Sequence, residues 1–247
     1  MTKKYLIDII RHHEKLSREY MKGVLTFGKD DRQSIFILLY TVIILTIFVY
    51  YGSAKFYTNH ISAIINVNNQ FYYFLSSFVL LGFIPILIWI FGFKANLADM
   101  GLSLGNYKKS IIFSLIGIPV MILLAYISAK NPAFRAEYPL YRGLLENQSG
   151  ITHYWLVYGL YYIGWEFFFR GFILFGLENK FGKTYSILIQ TIPSCLVHIG
   201  KPDAEIFSSI IAGIVFGWVA FRCRSLWPIF IWHWCLGVAL DYFIIYG

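Results

Sequence analysis

The chain has 247 residues, of which 58% are hydrophobic and only 14% are charged. A soluble domain of this length cannot bury so large an apolar fraction, so the composition excludes an ordinary soluble protein and indicates a membrane protein. The formal net charge is +8. The basic residues lie between hydrophobic runs and form no nucleic-acid motif. We therefore expect them to face an anionic membrane surface, and we expect no nucleic-acid partner.

Hydrophobic runs divide the chain into candidate membrane spans, since about 20 apolar residues suffice to cross a bilayer. Seven candidate runs are residues 35–54, 71–93, 110–129, 151–177, 184–199, 206–221 and 225–245. The fifth and sixth are marginal in length, and the others are long enough. Lipid permits only helices or closed barrels, and these runs are too long and too apolar for barrel strands. The sequence therefore predicts an all-α polytopic bundle of about seven to eight transmembrane helices. In the sixth run, Gly213 and Gly217 form a GxxxG pattern that predicts close helix packing.

The segment before the first run is basic and amphipathic. Residues 4–25 place apolar residues such as Ile9 and Leu16 near one helical face and basic residues such as Lys15 around the other. This pattern predicts an N-terminal interfacial helix, with a solvated basic tail as the alternative. We divide the single integral domain into a cytoplasmic amphipathic segment, N-terminal transmembrane helices and a functional C-terminal part, at residues 1–34, 35–150 and 151–247.

The distribution of lysine and arginine predicts the orientation. Alternate loops lie on the same side of the membrane. On one side, residues 1–34, 94–109, 178–183 and 222–224 hold fifteen of these cations, while the loops on the other side hold five. Because cytoplasmic loops carry the excess of positive charge, we expect the N-terminus in the cytoplasm and the C-terminus outside.

Charged residues and histidines inside the hydrophobic runs occur only in the C-terminal half. Each charge in hydrocarbon costs several kcal/mol unless it is paired, bound to metal or hydrated, so these residues indicate the functional half. They include Glu166, Arg170, His198, His233 and Asp241 inside the runs, and Glu205 at the start of the sixth run.

Glu166 and Arg170 are four residues apart, so both side chains emerge from one helical face. A simple ion pair is one explanation of this spacing. His198 and His233 lie in two further runs, and a carboxylate with two imidazoles from three helices is a suitable set of zinc ligands. Histidines that only pack and form hydrogen bonds are the alternative. A metal site of this kind would provide an activated water for hydrolysis.

The order and spacing of these residues resemble the CAAX-protease and bacteriocin-processing family of intramembrane metallopeptidases. That family's pattern is Glu-Glu-x-x-x-Arg on one helix, Phe-x-x-x-His on a second and His-x-x-x-Asn on a third. The resemblance runs through Glu166-x-x-x-Arg170, His198 and His233, and it covers roughly residues 150–245. It implies an endopeptidase in which Arg170 orients Glu166 or meets a substrate carbonyl.

Three positions depart from the family pattern. Trp165 stands at the first glutamate, Ser194 at the phenylalanine and Gly237 at the asparagine. Since the family's catalytic set includes the glutamate pair and the asparagine, the loss of one glutamate leaves the general base unassigned and puts catalytic competence in question.

Two further carboxylates are candidates to compensate. Glu205 lies seven residues after His198 and could fold back over the site as the base, although Pro202 makes an exposed loop carboxylate an equal alternative. Asp241 lies eight residues after His233. This separation is about 12 Å along a helix, so Asp241 is far for a shared ligand. We expect it to cap, pair with or orient a neighbour of the site.

We therefore expect an intramembrane endopeptidase that uses water on a divalent metal, zinc by ligand type, held by Glu166, His198 and His233. Its partners would be the lipid bilayer and a peptide or membrane-protein substrate. Eukaryotic members of the family cut prenylated CAAX tails. This chain, rich in Lys, Ile and Tyr, looks bacterial, so we expect a bacterial plasma membrane and a substrate without a prenyl group.

Two other classes of function remain open. One is a non-catalytic membrane scaffold or bacteriocin immunity protein, which Trp165 favours. The other is a proton-coupled transporter that uses the same buried carboxylate and histidines. The transporter is less favoured because no inverted repeat is evident in the sequence.

Overall fold

The structure is a computed structural model that describes residues 12–17 and 28–247. These residues are largely helical, and no strand occurs among them. The predicted interfacial helix at 4–25 lies mostly outside the described residues. Of that segment, residues 12–17 are described, and they are helical and exposed.

From residue 29 onward the described chain forms nine helices, and a separate π-helical segment lies between the sixth and the seventh. They are α1 (Lys29–Tyr51), α2 (Ala54–His60), α3 (Val67–Gly92), α4 (Tyr107–Ser128), α5 (Pro132–Glu137), α6 (Ile151–Glu166), the π-helical segment (Phe167–Phe175), α7 (Gly176–Leu196), α8 (Asp203–Cys223) and α9 (Trp227–Tyr246). The third helix contains two short π-helical stretches of its own, Phe78–Phe83 and Ile88–Gly92. Within the described residues, six helical runs are long and apolar enough to cross a membrane. The all-α polytopic bundle is thus confirmed.

One of these six runs, Ile151–Leu196, contains two of the predicted spans. It is 46 residues long, which is more than one crossing needs. Gly182 interrupts it with non-helical backbone at φ 71° and ψ 170°, a conformation that favours glycine. The rings of Trp165 and His198 are only 5.5 Å apart. The chain therefore turns back at Gly182, where the boundary between the fourth and fifth spans is predicted.

Ion pairs between loops mark the two ends of the bundle. At one end, which we call the Arg224 end, Arg224 pairs with Glu178. At the other, the Lys201 end, Lys201 Nζ lies 2.5 Å from the Glu137 carboxylate. If successive spans cross the membrane in alternating directions, the two members of each pair lie on the same side of it.

Small residues allow close helix packing where the sequence predicts it. A Cβ atom on Gly213 would lie 2.7 Å from the Thr191 side chain on α7, and one on Gly217 would lie 3.2 Å from Ile187. The packing role predicted for the GxxxG pattern is therefore confirmed.

The π-helical segment forms the centre of the core. Every residue from Phe167 to Phe175 is buried. Phe168 and Phe172 stack with their ring centroids 6.0 Å apart, and Tyr40 on α1 contacts both rings. This packing fixes the part of the chain that carries Arg170.

Candidate active site

Glu166 and Arg170 form a buried ion pair. Glu166 is the last residue of α6 and Arg170 lies one turn later in the π-helical segment. Their exposed fractions are 1% and 2%. Arg170 Nη1 lies 3.2 Å from Oε2 and 3.3 Å from Oε1 of Glu166. The arginine thus neutralises a carboxylate that has no access to water.

His233 on α9 contacts the same carboxylate. Its Nδ1 lies 2.5 Å from Oε1 of Glu166. Because a carboxylate paired with arginine accepts hydrogen bonds, Nδ1 of His233 carries the proton and donates it, and Nε2 is the ring nitrogen left for a ligand. The ring of Tyr162 lies 4.5 Å from the imidazole and that of Phe216 lies 5.7 Å from it, both as centroid distances. The imidazole is held on three sides.

His198 lies in the turn that follows α7. Its Nδ1 is 2.7 Å from the backbone oxygen of Ser194. A carbonyl oxygen only accepts, so Nδ1 donates and Nε2 is again the ring nitrogen left for a ligand. Trp165 meets the imidazole edge-on, at an interplanar angle of 84°.

One cavity of about 290 Å³ brings His198, His233 and Glu205 together. Glu166 is not part of its wall and lies behind His233. Apolar side chains from α4, α5, α8 and α9 form much of the lining and include Leu124, Phe134, Phe216, Leu236 and Leu240. The cavity therefore combines a small polar centre with walls suited to an apolar ligand.

Glu205 lies in the first turn of α8, on the cavity wall. Its Oε1 accepts a hydrogen bond of 2.8 Å from the hydroxyl of Tyr138, and its Oε2 is buried without a hydrogen-bond partner. Burial raises the pKa of the Tyr138 phenol well above its ordinary value, and the charge of Glu205 raises it further. Tyr138 therefore stays protonated and donates. Glu205 thus shares one cavity with His198 and His233. Its role as the base stays a prediction.

Asp241 is fully buried on α9 but does not line the cavity. Its Oδ2 accepts a 3.3 Å hydrogen bond from the indole N–H of Trp155 on α6. This contact is the pairing with a neighbour that the sequence analysis expected for Asp241. A direct effect of Asp241 on His233 stays a prediction.

The predicted metal ligands are not gathered as a cluster. In the part of the chain that the structure describes, no three His, Cys, Asp or Glu side chains are grouped closely enough to hold a metal ion. Glu166 fits the ligand role least, because its oxygens face Arg170 and the Nδ1 proton of His233. As placed, the residues do not fit a site with three protein ligands, and we derive no step through a metal. The metal itself stays a prediction.

Sequence reasoning missed two tyrosines that contact the site. Tyr138 follows α5 and reaches Glu205 across 67 positions of sequence, and no local pattern indicates this contact. Tyr162 lies four residues before Glu166, on the same face of α6. That spacing was a usable signal.

The comparison with protein families concerns this same part of the chain. Residues 147–239 match the family model described as "Type II CAAX prenyl endopeptidase Rce1-like". The matched stretch contains Glu166, Arg170, His198, Glu205 and His233, and it supports the resemblance to the CAAX-protease and bacteriocin-processing family. No curated protein and no solved structure matches the chain.

Proposed function

We propose that this chain is an intramembrane endopeptidase of the CAAX-protease-like type, which hydrolyses a peptide bond in or near the membrane. The observation that carries the proposal is the single cavity onto which His198, His233 and Glu205 open. The family match over residues 147–239 supports the reaction class.

Glu205 is the general base of the proposed reaction. Its unpartnered Oε2 takes a proton from water while the water oxygen bonds to the carbonyl carbon of the substrate. The electron pair of the C=O π bond moves to the carbonyl oxygen. When that pair returns, the C–N bond breaks, and Glu205 passes the proton to the leaving amine nitrogen. His198, whose Nε2 has a free lone pair, accepts a hydrogen bond from the second hydrogen of the water.

His233 is positioned for this reaction by Glu166 and Arg170. The carboxylate fixes which ring nitrogen of His233 carries the proton, and the arginine fixes the carboxylate. A buried acid that sets the tautomer of a histidine has this role in hydrolytic triads. Glu166 therefore acts through His233 and does not contact the substrate.

A second candidate function is a membrane scaffold or immunity protein without hydrolysis. Trp165 carries this alternative, since an indole occupies the place of the first family glutamate. Its side chain is only 3% exposed and its ring contacts His198. The two functions differ in one measurable property, the cleavage of a peptide.

We also propose that the protein lies in a bacterial plasma membrane with its N-terminus in the cytoplasm. The excess of lysine and arginine in residues 1–34 and in the loops at the Arg224 end supports this orientation. The cavity then lies nearer to the outer face, because Tyr138 and Glu205 belong to the Lys201 end.

The test is proteolysis by purified protein in lipid nanodiscs. Two fluorogenic probes are used, a farnesylated CAAX peptide and an unmodified peptide with one hydrophobic segment. We expect cleavage of the unmodified peptide by the wild type and a loss of at least about 100-fold in His198→Ala. His153→Ala is the control, because His153 is exposed, meets Phe71 edge to face and does not line the cavity. Intact probes after prolonged incubation with folded wild type would favour the scaffold.

A further inference from the structure

Two tyrosine hydroxyls face the cavity beside His233, and the mechanism above does not use them. Tyr158 and Tyr162 lie one turn apart on α6, and both line the cavity. Their hydroxyl oxygens are 2.8 Å apart and share a hydrogen bond. The ring of Tyr162 also packs on His233. The hydroxyl of Tyr162 is thus held close to the polar centre of the cavity.

Gly237 on α9 makes the room for this hydroxyl. A Cβ atom at position 237 would lie 2.3 Å from the Tyr162 oxygen and 3.0 Å from Cζ of the same ring. Any side chain at position 237 would therefore displace the hydroxyl. Gly237 lies four residues after His233, so the hydroxyl occupies the space one helical turn along from the imidazole.

Peptide hydrolysis is helped by a hydrogen-bond donor to the substrate carbonyl oxygen, and this hydroxyl is a candidate for that donor. The carbonyl oxygen of the substrate gains negative charge as water attacks, and hydrogen-bond donors aimed at that oxygen stabilise the transition state. A hydroxyl pair can serve, because each hydroxyl both donates and accepts. In the structure the hydroxyl of Tyr162 donates to that of Tyr158. Rotation of both hydroxyls lets Tyr158 donate instead, and this frees the proton of Tyr162 for the cavity.

Two serine hydroxyls of the cavity wall are already committed to the backbone. Ser208 and Ser209 donate to the backbone oxygens of Glu205 and Ile206. Arg170 also lines the cavity. Its Nη1 is paired with Glu166, whereas its Nε has no hydrogen-bond partner.

We infer that Tyr162 is a catalytic residue that donates a hydrogen bond to the carbonyl oxygen of the scissile peptide bond, with Tyr158 orienting its hydroxyl. The inference rests on the proposed endopeptidase function. It assigns the oxyanion contact to a side chain from α6.

The first test removes one oxygen atom. Tyr162→Phe keeps the ring against His233, so we expect a fall in kcat of roughly 100- to 1,000-fold with KM changed less than about threefold. Tyr161→Phe is the matched control. It makes the same chemical change on the neighbouring residue, whose hydroxyl lies 3.3 Å from that of Tyr73 and does not reach this cavity. This control should keep the wild-type kcat.

The second test moves the hydroxyl without removing it. Gly237→Ala should lower kcat by a similar factor because its Cβ collides with Tyr162, and it should add little to the loss in Tyr162→Phe. Gly159→Ala is its control, since a Cβ there would meet Trp234 at an ordinary contact distance of 3.4 Å.

The outcomes separate the two proposals. If the folded wild type cleaves no probe, the endopeptidase function fails and the role of Tyr162 fails with it. If the wild type is active and Tyr162→Phe has a kcat within threefold of it, only the inference on Tyr162 is overturned. A rise in KM with unchanged kcat would also overturn it, because a contact made only in the transition state acts on kcat.

Discussion

Glu166 on α6 and His233 on α9 are joined by a hydrogen bond of 2.5 Å between Oε1 and Nδ1. The sequence suggests both residues as ligands of one metal ion. In the structure they bind each other, and Arg170 completes the group from the other side of the carboxylate. In the proposed mechanism Glu166 therefore positions His233, and Glu205 is the carboxylate that faces the cavity.

Arg170 is expected to be the main electrostatic support of the site. Arg170→Leu leaves the buried Glu166 without its cation, which should cost about 3 to 5 kcal/mol in the free energy of unfolding. Arg224→Leu is the comparison, because it breaks an exposed pair with Glu178 that should contribute only about 0 to 1 kcal/mol. Thermal unfolding of both variants in the same detergent measures the difference. Equal melting temperatures would show that the buried pair adds no stability.

Glu205 is expected to be essential for catalysis and dispensable for folding. Glu205→Gln keeps the size of the side chain but removes the base, so kcat should fall by about 10²- to 10⁴-fold with little change in melting temperature. Glu146→Gln, at an exposed position, is the control. Wild-type turnover in Glu205→Gln would show that Glu205 is not the general base.

Tyr138 is expected to have a smaller effect through the same carboxylate. Tyr138→Phe removes the 2.8 Å hydrogen bond to Oε1 of Glu205. A bond of this kind is worth about 0.5 to 1.5 kcal/mol, so kcat should fall by at most about tenfold. The double variant with Glu205→Gln should be no slower than Glu205→Gln alone. Additive losses would mean that Tyr138 acts independently of Glu205.

Metal content tests the zinc ion predicted from the sequence. Because the described His, Cys, Asp and Glu side chains do not converge as three ligands, we expect turnover to survive a zinc chelator and purified protein to hold much less than one metal per chain. Mass spectrometry of metals in protein washed with and without added zinc gives the measurement. Stoichiometric zinc that both His198→Ala and His233→Ala lose would establish the metal site instead.

The topology is tested by reporters on opposite sides of the membrane. A reporter at residue 10 should be cytoplasmic and one inserted between residues 130 and 150 should be external, since fifteen of the loop cations lie on one side and five on the other. Both reporters on the same side would refute this map.

Much of the fold could be predicted because lipid selects strongly for apolar helices. The predicted runs 71–93 and 110–129 correspond to Val67–Gly92 and Tyr107–Ser128 within a few residues. The first run is predicted from residue 35, whereas the helix starts at Lys29. Charged residues at the end of a helix can extend beyond the hydrocarbon, so hydropathy does not detect them.

The site could be predicted only in part. Periodicity places Glu166 and Arg170 on one face, and the structure pairs them. The partner of His233 and the position of Glu205 depend on how α6, α8 and α9 cross, and no local pattern encodes those contacts. The π-helical geometry after Glu166 is equally invisible to a search for a period of 3.6 residues.

The turn at Gly182 has a consequence for the surrounding lipid. The part of α7 that follows it, residues 183–196, rises only about 21 Å, whereas the hydrocarbon layer is about 30 Å thick. A segment that is too short draws the bilayer thinner around itself. His198 lies two residues after this segment, so lipid headgroups and water should come closer to the imidazole. Each hydrolysed bond consumes one water molecule, and this locally thinned membrane would supply it.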